Sequence, residues 1–341
     1  MKDLNFLKKV CEAHVPSGKE NIIYPIIKDN FSEYADNIKI SKLNNIYVHK
    51  KGIGANTVMI MAHADEVFLM VDKILNGGFI EFKTLGIDPK SLVSQKVLIH
   101  GRQDICGIVA LKSKIVDDKL IEENLYIDTG LNSDELKSLV RIGDYITLDR
   151  KMTELLNSNI SCKSIDNRAS IASIYVCAEE LKNVTPDLNV YFVCSCQEEV
   201  GHRGARMASY DIKPDIGIAV DVTFDGGVMG DSDRENTLNG GPVICIGPNI
   251  HPKLRDRMIN TAKKYNIPYQ IEVESGNTGT DAWDIQISEG GIPTLLISIP
   301  IKYMHTSVEI VNMNDIRNTG RLLARFIQDL SSSELEGLFC F

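Results

Sequence analysis

Several apolar runs in this chain stop abruptly at charged residues, and few folds accommodate that pattern. Thr57-Val58-Met59-Ile60-Met61-Ala62 is continuously apolar, as expected of a strand buried on both faces, and it breaks into His63-Ala64-Asp65-Glu66. The run Tyr191-Phe192-Val193-Cys194 passes through Ser195-Cys196-Gln197 into two adjacent carboxylates, Glu198 and Glu199. Ile218-Ala219-Val220 meets Asp221 inside an otherwise apolar stretch, and the run 294–299 is followed by Tyr303-Met304-His305. Doubly buried strands belong to α/β sheets covered on both faces, and such sheets place ligands at the carboxyl ends of their strands. A sheet of this kind, with histidines and carboxylates gathered at its strand ends, is therefore the expectation.

The rest of the chain fits that frame. Leu4, Leu7 and Val10 mark one helical face, Pro16-Ser17-Gly18 interrupts it, and Ile22, Ile23, Ile26 and Ile27 resume it. From about Asp72 to Ile160 the texture changes to short β-like runs (79–82, 96–99, 107–111, 125–127, 145–148) separated by Gly, Asp, Asn and Pro, which reads as an inserted β-rich module. Beyond Asp166 strands and helices alternate, with helices expected over about 167–184, 252–265 and 314–330 and strands over 190–194, 216–220 and 294–299. At roughly 150 residues per domain, the 341 residues suit two domains.

Composition narrows the function classes. With 46 Asp and Glu against 37 Lys and Arg, the net charge is −9, which argues against a broad nucleic-acid footprint. No stretch reaches the roughly 18 apolar residues of a membrane span, and the start lacks the apolar core of a signal peptide, so a cytoplasmic location is expected. The eight cysteines contain no C-x-x-C pair and most sit in apolar stretches, which suits reduced, buried thiols and gives no sign of zinc–thiolate chemistry.

Each charged strand end has two readings when taken alone. His63 and Asp65, two apart, point to one face of a strand, where the carboxylate can orient a metal-bound imidazole; a lone pair of this type is more often a satisfied core histidine. Asp166, in Ser164-Ile165-Asp166-Asn167-Arg168, is either a ligand or an N-cap carboxylate. Glu198 and Glu199 repel one another, and either a metal compensates them or they sit in a solvated loop. Asp221 is costly inside an apolar strand unless paired or metal-bound. His305 again reads as ligand or satisfied histidine. Together these residues form the N/O donor set that zinc, cobalt or manganese accepts.

Along nearly its whole length the sequence resembles the glutamyl aminopeptidase and tetrahedral (TET) aminopeptidase family of dinuclear metallopeptidases, some members of which are labelled endoglucanases. The residues that carry the resemblance are Pro16-Ser17-Gly18-Lys19-Glu20, the His63 motif, Ile87-Asp88-Pro89, Asp166-Asn167-Arg168, Gln197-Glu198-Glu199-Val200-Gly201, Val220-Asp221-Val222-Thr223, Gly279-Thr280-Asp281-Ala282 and His305. The resemblance implies an α/β fold, a mixed central sheet flanked by helices as in zinc aminopeptidases. It assigns residues 1–71 and 162–341 to the catalytic domain and 72–161 to an inserted β-rich dimerisation domain. It also implies two divalent ions per subunit, zinc first with cobalt or manganese as alternatives. Asp166 would bridge them, His63 and Asp221 would complete one site, and Glu199 and His305 the other.

By the same resemblance Glu198 is the general base, Asp65 supports His63, and the Asp166–Asn167 peptide bond is cis. The implied reaction removes N-terminal residues from peptides. The implied partners are peptide substrates and further copies of the chain, from a dimer up to a dodecamer, with no nucleic acid and no membrane. A related deacylase or carboxypeptidase, or a non-catalytic family member, is the alternative. Two positions depart from the family pattern, because Phe68 and Trp283 stand where small residues are usual. They either pack into the core or an interface, or narrow a substrate pocket beside Asp281.

Overall fold

The structure is a computed structural model that describes residues 2–112, 120–226 and 236–339. Eleven strands form one mixed sheet: β1 (Asn37–Ile40), β2 (Ile46–Lys50) and β3 (Thr57–His63), then, after the six barrel strands given below, β10 (Thr153–Glu154), β11 (Asn159–Cys162), β12 (Asn189–Ser195), β13 (Ile216–Phe224), β14 (Val243–Ile246), β15 (Gln270–Val273), β16 (Thr294–Lys302) and β17 (Glu309–Asn312). The main path runs β1-β2-β12-β3-β13-β16-β17-β11-β10, and β14 leaves it from β16 to pair with β15. β12, β3, β13 and β16 are parallel neighbours at the centre, and antiparallel strands flank them.

The central strands are buried almost end to end, as their unbroken apolar runs require. The helices Ile165–Glu180 and Met313–Gln328 pack against each other on the sheet, and Arg203–Ile212 and Asp281–Gln286 form a second packed pair against it. Met313–Gln328 is capped by Asn312, whose side chain accepts from the N–H of Asn314, and buries Ile316, Leu323, Phe326 and Ile327. Full burial of each such apolar side chain stabilises by about 1.5–3 kcal/mol. Gly320 lets the two long helices approach closely, since a Cβ there would lie 2.4 Å from the Ser173 carbonyl oxygen.

The β-rich segment closes into a six-strand barrel with its own core around Leu69, Ile80, Val97, Ile99, Val109, Ile127 and Ile146. Its strands are β4 (Phe68–Ile74), β5 (Phe79–Leu85), β6 (Lys96–His100), β7 (Asp104–Leu111), β8 (Leu125–Asp128) and β9 (Tyr145–Leu148), in the order β4-β5-β8-β7-β6-β9. β10 and β11 are already back in the central sheet. Of the cysteines, seven are described and none is disulfide-bonded; Cys106 is exposed and the other six are buried. Cys340 lies outside the described residues. Among the described residues no helix is long and apolar enough to cross a membrane.

Candidate active site

Parallel pairing brings the charged strand ends to one edge of the sheet. Ser195, the last residue of β12, lies beside His63, the last of β3, and the Ala64 N–H continues the pairing onto the Ser195 carbonyl at 2.7 Å. Glu198 and Glu199 follow β12, Asp221 stands in β13 beside Ser298 of β16, and His305 follows β16. Asp166 enters from the head of the helix Ile165–Glu180, where the Asp166–Asn167 peptide bond is cis, as expected. Asn167 and Ser170 tie that helix head to β13 by donating to the carbonyls of Val220 and Asp221 at 2.9 and 3.0 Å.

The five expected ligands converge, and Asp166 sits between two of them. Its Oδ1 is 3.0 Å from His63 Nε2 and its Oδ2 is 3.2 Å from His305 Nε2. Around His63 Nε2 lie Glu198 Oε2 at 3.7 Å and Asp221 Oδ1 at 4.0 Å; around His305 Nε2 lies Glu199 Oε2 at 3.7 Å. Two overlapping sets, His63–Asp166–Glu199 and His63–Glu198–Asp221, each offer donor atoms lying within 4.8 Å of one another. Glu199 Oε1 is buried with no hydrogen-bond partner, the situation of a donor that awaits a cation. Two imidazoles and several carboxylates crowded in this way suit divalent ions that accept N and O donors.

The electrostatics follow from burial and crowding. Burial, and then the negative charge of Asp166, push Glu199 well above the usual carboxylate range. Burial also pushes Asp221 up, with Glu198 and Asp166 adding to the effect and His63 opposing it. Asp166 goes the other way, because contact with His305 and His63 outweighs its burial. Burial opposes the charged form of His305, yet Asp166 and Glu199 raise it to about 9. His63 is likewise raised, its carboxylate neighbours outweighing full burial. Protons and a divalent ion therefore compete for the same donor atoms of the cluster.

Asp65 supports the site from beneath. Its Oδ1 accepts the Glu198 N–H at 3.1 Å, and its Oδ2 accepts the Glu199 N–H at 3.2 Å and the Ser17 hydroxyl at 2.6 Å. The same carboxylate lies 3.6 Å from His63 Nδ1, while the Asp65 carbonyl oxygen is nearer at 3.2 Å. Glu20 steadies the same loop by accepting from the Gln197 N–H at 3.0 Å and the Gly18 N–H at 2.7 Å. Glu66, next to the motif, has a structural role. It accepts from Val15 N–H and Ser164 Oγ and pairs with the buried Lys163 at 2.7 Å. The Arg168 guanidinium donates to the carbonyls of Val10 and Ala64.

A cavity of about 320 Å³ opens over the cluster, walled by Thr223, Phe224, Glu272, Glu274, the segment 277–280, Leu296, Ser298 and Met304. None of Phe68, Asp281 and Trp283 lines it. Phe68 is buried at the start of β4 against Tyr145, with ring centroids 5.2 Å apart. Trp283 is half-buried in the helix Asp281–Gln286. Asp281 lies under the site, where its Oδ2 accepts from Ser195 Oγ at 2.5 Å and burial, with nearby Glu198, pushes it up to about 7. Sequence reasoning missed His202, whose Nε2 is 3.2 Å from Glu198 Oε1, and Glu309, which accepts the N–H groups of both Asp166 and His305. The only signal for His202 was its position four residues after Glu198. Glu309 had none.

A mixed sheet flanked by helices, with a separate six-strand barrel, is the architecture of the TET aminopeptidases. The profile of the M42 glutamyl aminopeptidase family matches residues 44–322, and the chain belongs to that family of metal-dependent peptidases. Lysyl aminopeptidase of Pyrococcus furiosus is 35% identical over 342 residues, covering 97% of this chain and 98% of that protein. Aminopeptidase APDkam598 from the archaeon Desulfurococcus kamchatkensis superposes with a TM-score of 0.93 at 32% identity, over 100% of this chain and 98% of that one. The Pyrococcus horikoshii TET1 peptidase, which can assemble into a tetrahedron or a large octahedral shell, matches at a TM-score of 0.84 and 26% identity, over 96% of this chain and 100% of its own.

Proposed function

We propose that this chain is a two-metal aminopeptidase that removes N-terminal residues from peptides. The observation that carries the reading is Asp166, a single carboxylate with one oxygen directed at each of two histidines, each histidine backed by a further carboxylate. Asp166 would bridge two ions, His63 and Asp221 would hold one, and Glu199 and His305 the other. When bound, a pair of divalent ions supplies Lewis acidity that polarises the scissile carbonyl and makes water a nucleophile near neutral pH.

The chain's own groups supply the rest. Glu198, facing the cavity with Oε2 near His63, takes the proton of the attacking water and returns it to the leaving amine. Asp65, anchored by Ser17, holds the backbone beneath Glu198 and Glu199 and so fixes where the base stands. The cavity carboxylates receive the cationic N-terminus of the substrate and set the register of cleavage. One relative of this chain is named for lysyl substrates, and on that likeness a preference for cationic N-terminal side chains is part of the proposal.

Hydrolysis of a panel of aminoacyl-p-nitroanilides by metal-stripped protein, with zinc, cobalt or manganese added back, tests the reading. Metal-dependent cleavage of unblocked substrates, fastest for Lys and Arg, is expected. Cleavage confined to N-acetylated substrates would favour the deacylase alternative. We further propose a cytoplasmic homo-oligomer assembled through the barrel, for which light scattering is the direct measurement.

A further inference from the structure

The general base proposed above has a neighbour with no assigned role. After Glu198 the chain turns tightly, with the N–H groups of Gly201 and His202 both donating to the Glu198 carbonyl at 2.8 and 3.0 Å. This turn brings the His202 ring back against the Glu198 side chain. His202 Nε2 lies 3.2 Å from Glu198 Oε1, and its Nδ1 lies 3.1 Å from Asp284 Oδ2. Asp284 is 2% exposed, and its other oxygen takes both Nε and Nη2 of Arg206 at 2.7 Å. A line of four side chains thus runs from the surface guanidinium to the carboxylate at the cavity. Arg206 and Asp284 stand on two helices that pack on each other, Arg203–Ile212 and Asp281–Gln286, His202 directly precedes the first of them, and Glu198 lies in the loop after β12.

Both oxygens of Glu198 are accounted for by this arrangement. Oε1 faces His202, and Oε2 faces His63 Nε2 at 3.7 Å. A carboxylate held on one side only rotates about its last torsion, whose energy wells are broad. With Oε1 held, Oε2 keeps one direction. Both ring nitrogens of His202 are occupied by carboxylates, which leaves neither directed at the ligand cluster.

We propose that His202, backed by Asp284 and Arg206, is the positioning residue of Glu198 and holds the oxygen of the base toward the cavity. The inference rests on the reading of Glu198 as general base. Orientation of a catalytic group acts on the reaction step more than on substrate binding, and general acid–base catalysis contributes about 10²–10⁴-fold to rate. Loss of orientation should therefore appear in kcat.

The test compares the metal-loaded parent with His202→Ala, His202→Gln and Asp284→Asn on the best aminoacyl-p-nitroanilide, recording kcat, KM, bound metal and Tm. His202→Ala should lower kcat by at least about tenfold with KM, metal content and Tm close to the parent. His202→Gln, which keeps an N–H donor facing Glu198, should recover most of kcat, and Asp284→Asn should fall between. An active parent with kcat unchanged in His202→Ala overturns this inference alone. So does a loss explained by missing metal or a raised KM, or a His202→Gln variant as impaired as His202→Ala. A parent that cleaves no aminoacyl substrate with any metal overturns the functional reading, and the inference with it.

Discussion

Glu309 accepts the backbone N–H of Asp166 through Oε2 at 3.0 Å, and through Oε1 it accepts the N–H of His305 at 2.7 Å. One buried side chain therefore sets the spacing of two residues whose own side chains meet at 3.2 Å. Burial, and then the charge of Asp166, push the Glu309 carboxyl upward, so this spacing is held at an electrostatic cost. Glu309→Gln leaves one acceptor oxygen for two donors. It should weaken metal binding about 10–100-fold, as is usual when the partners of metal ligands are lost. Titration of the stripped variant with metal in a calorimeter measures this, and an affinity equal to the parent's would refute the role.

Metal removal should lower thermal stability. Ligands that bind only the folded chain stabilise it by about 2.7 kcal/mol at a hundredfold excess over Kd. Because burial and crowding raise Glu199 and Asp221, protons compete with the metal for these carboxylates, and apparent affinity should rise with pH. Melting curves with and without zinc, recorded at two pH values, test both points. Equal Tm values would rule out a tight site.

His14 joins the N-terminal segment to the barrel, its Nδ1 lying 2.7 Å from Thr147 Oγ1. Burial, with help from the charge of Lys163, lowers it to about 4 from an ordinary 6.5. Between those values the unfolded chain binds more protons than the folded one, so stability increases with pH across the interval and is lost as pH falls from 6.5 toward 4. His14→Gln, which does not titrate, should flatten that part of the stability–pH curve. Denaturant titrations at several pH values check this, and identical slopes for the two proteins would count against it.

Phe68 and Trp283 should separate stability from specificity. Phe68 is 5% exposed against Tyr145, and truncation of such a residue to Ala costs about 3–5 kcal/mol. Trp283→Ala should leave the order of preference among aminoacyl-anilides unchanged, because Trp283 does not line the cavity. A reordered panel would bring Trp283 back into the substrate pocket.

The strand ends were legible because burial on both faces demands unbroken apolar runs, and a His or carboxylate directly after such a run stands out. Such strand ends and the ordered motifs mark His63, Asp166, Glu198, Glu199, Asp221 and His305, all of which line the cavity. Short runs mark the β-rich segment from about Asp72, whereas β4 already begins at Phe68, where no local break in the sequence signals it. The helix Arg203–Ile212 was missed because its buried face is made of Gly, Ala and Ser, which carry little apolar signal.

The sequence by itself singled out the histidines and carboxylates that meet at the cavity, most of them at or just beyond buried strands, since local periodicity and residue type encode both. Only the tertiary structure decided which oxygen faces which histidine, that Glu309 spaces Asp166 and His305, that His202 and Asp284 stand behind Glu198, and that Phe68 and Trp283 lie away from the cavity. These are contacts between segments distant in sequence: Glu309 reaches Asp166 across 143 positions and Asp284 reaches His202 across 82. A lone polar residue has no period to betray it, and its partner is set by how strands and helices pack.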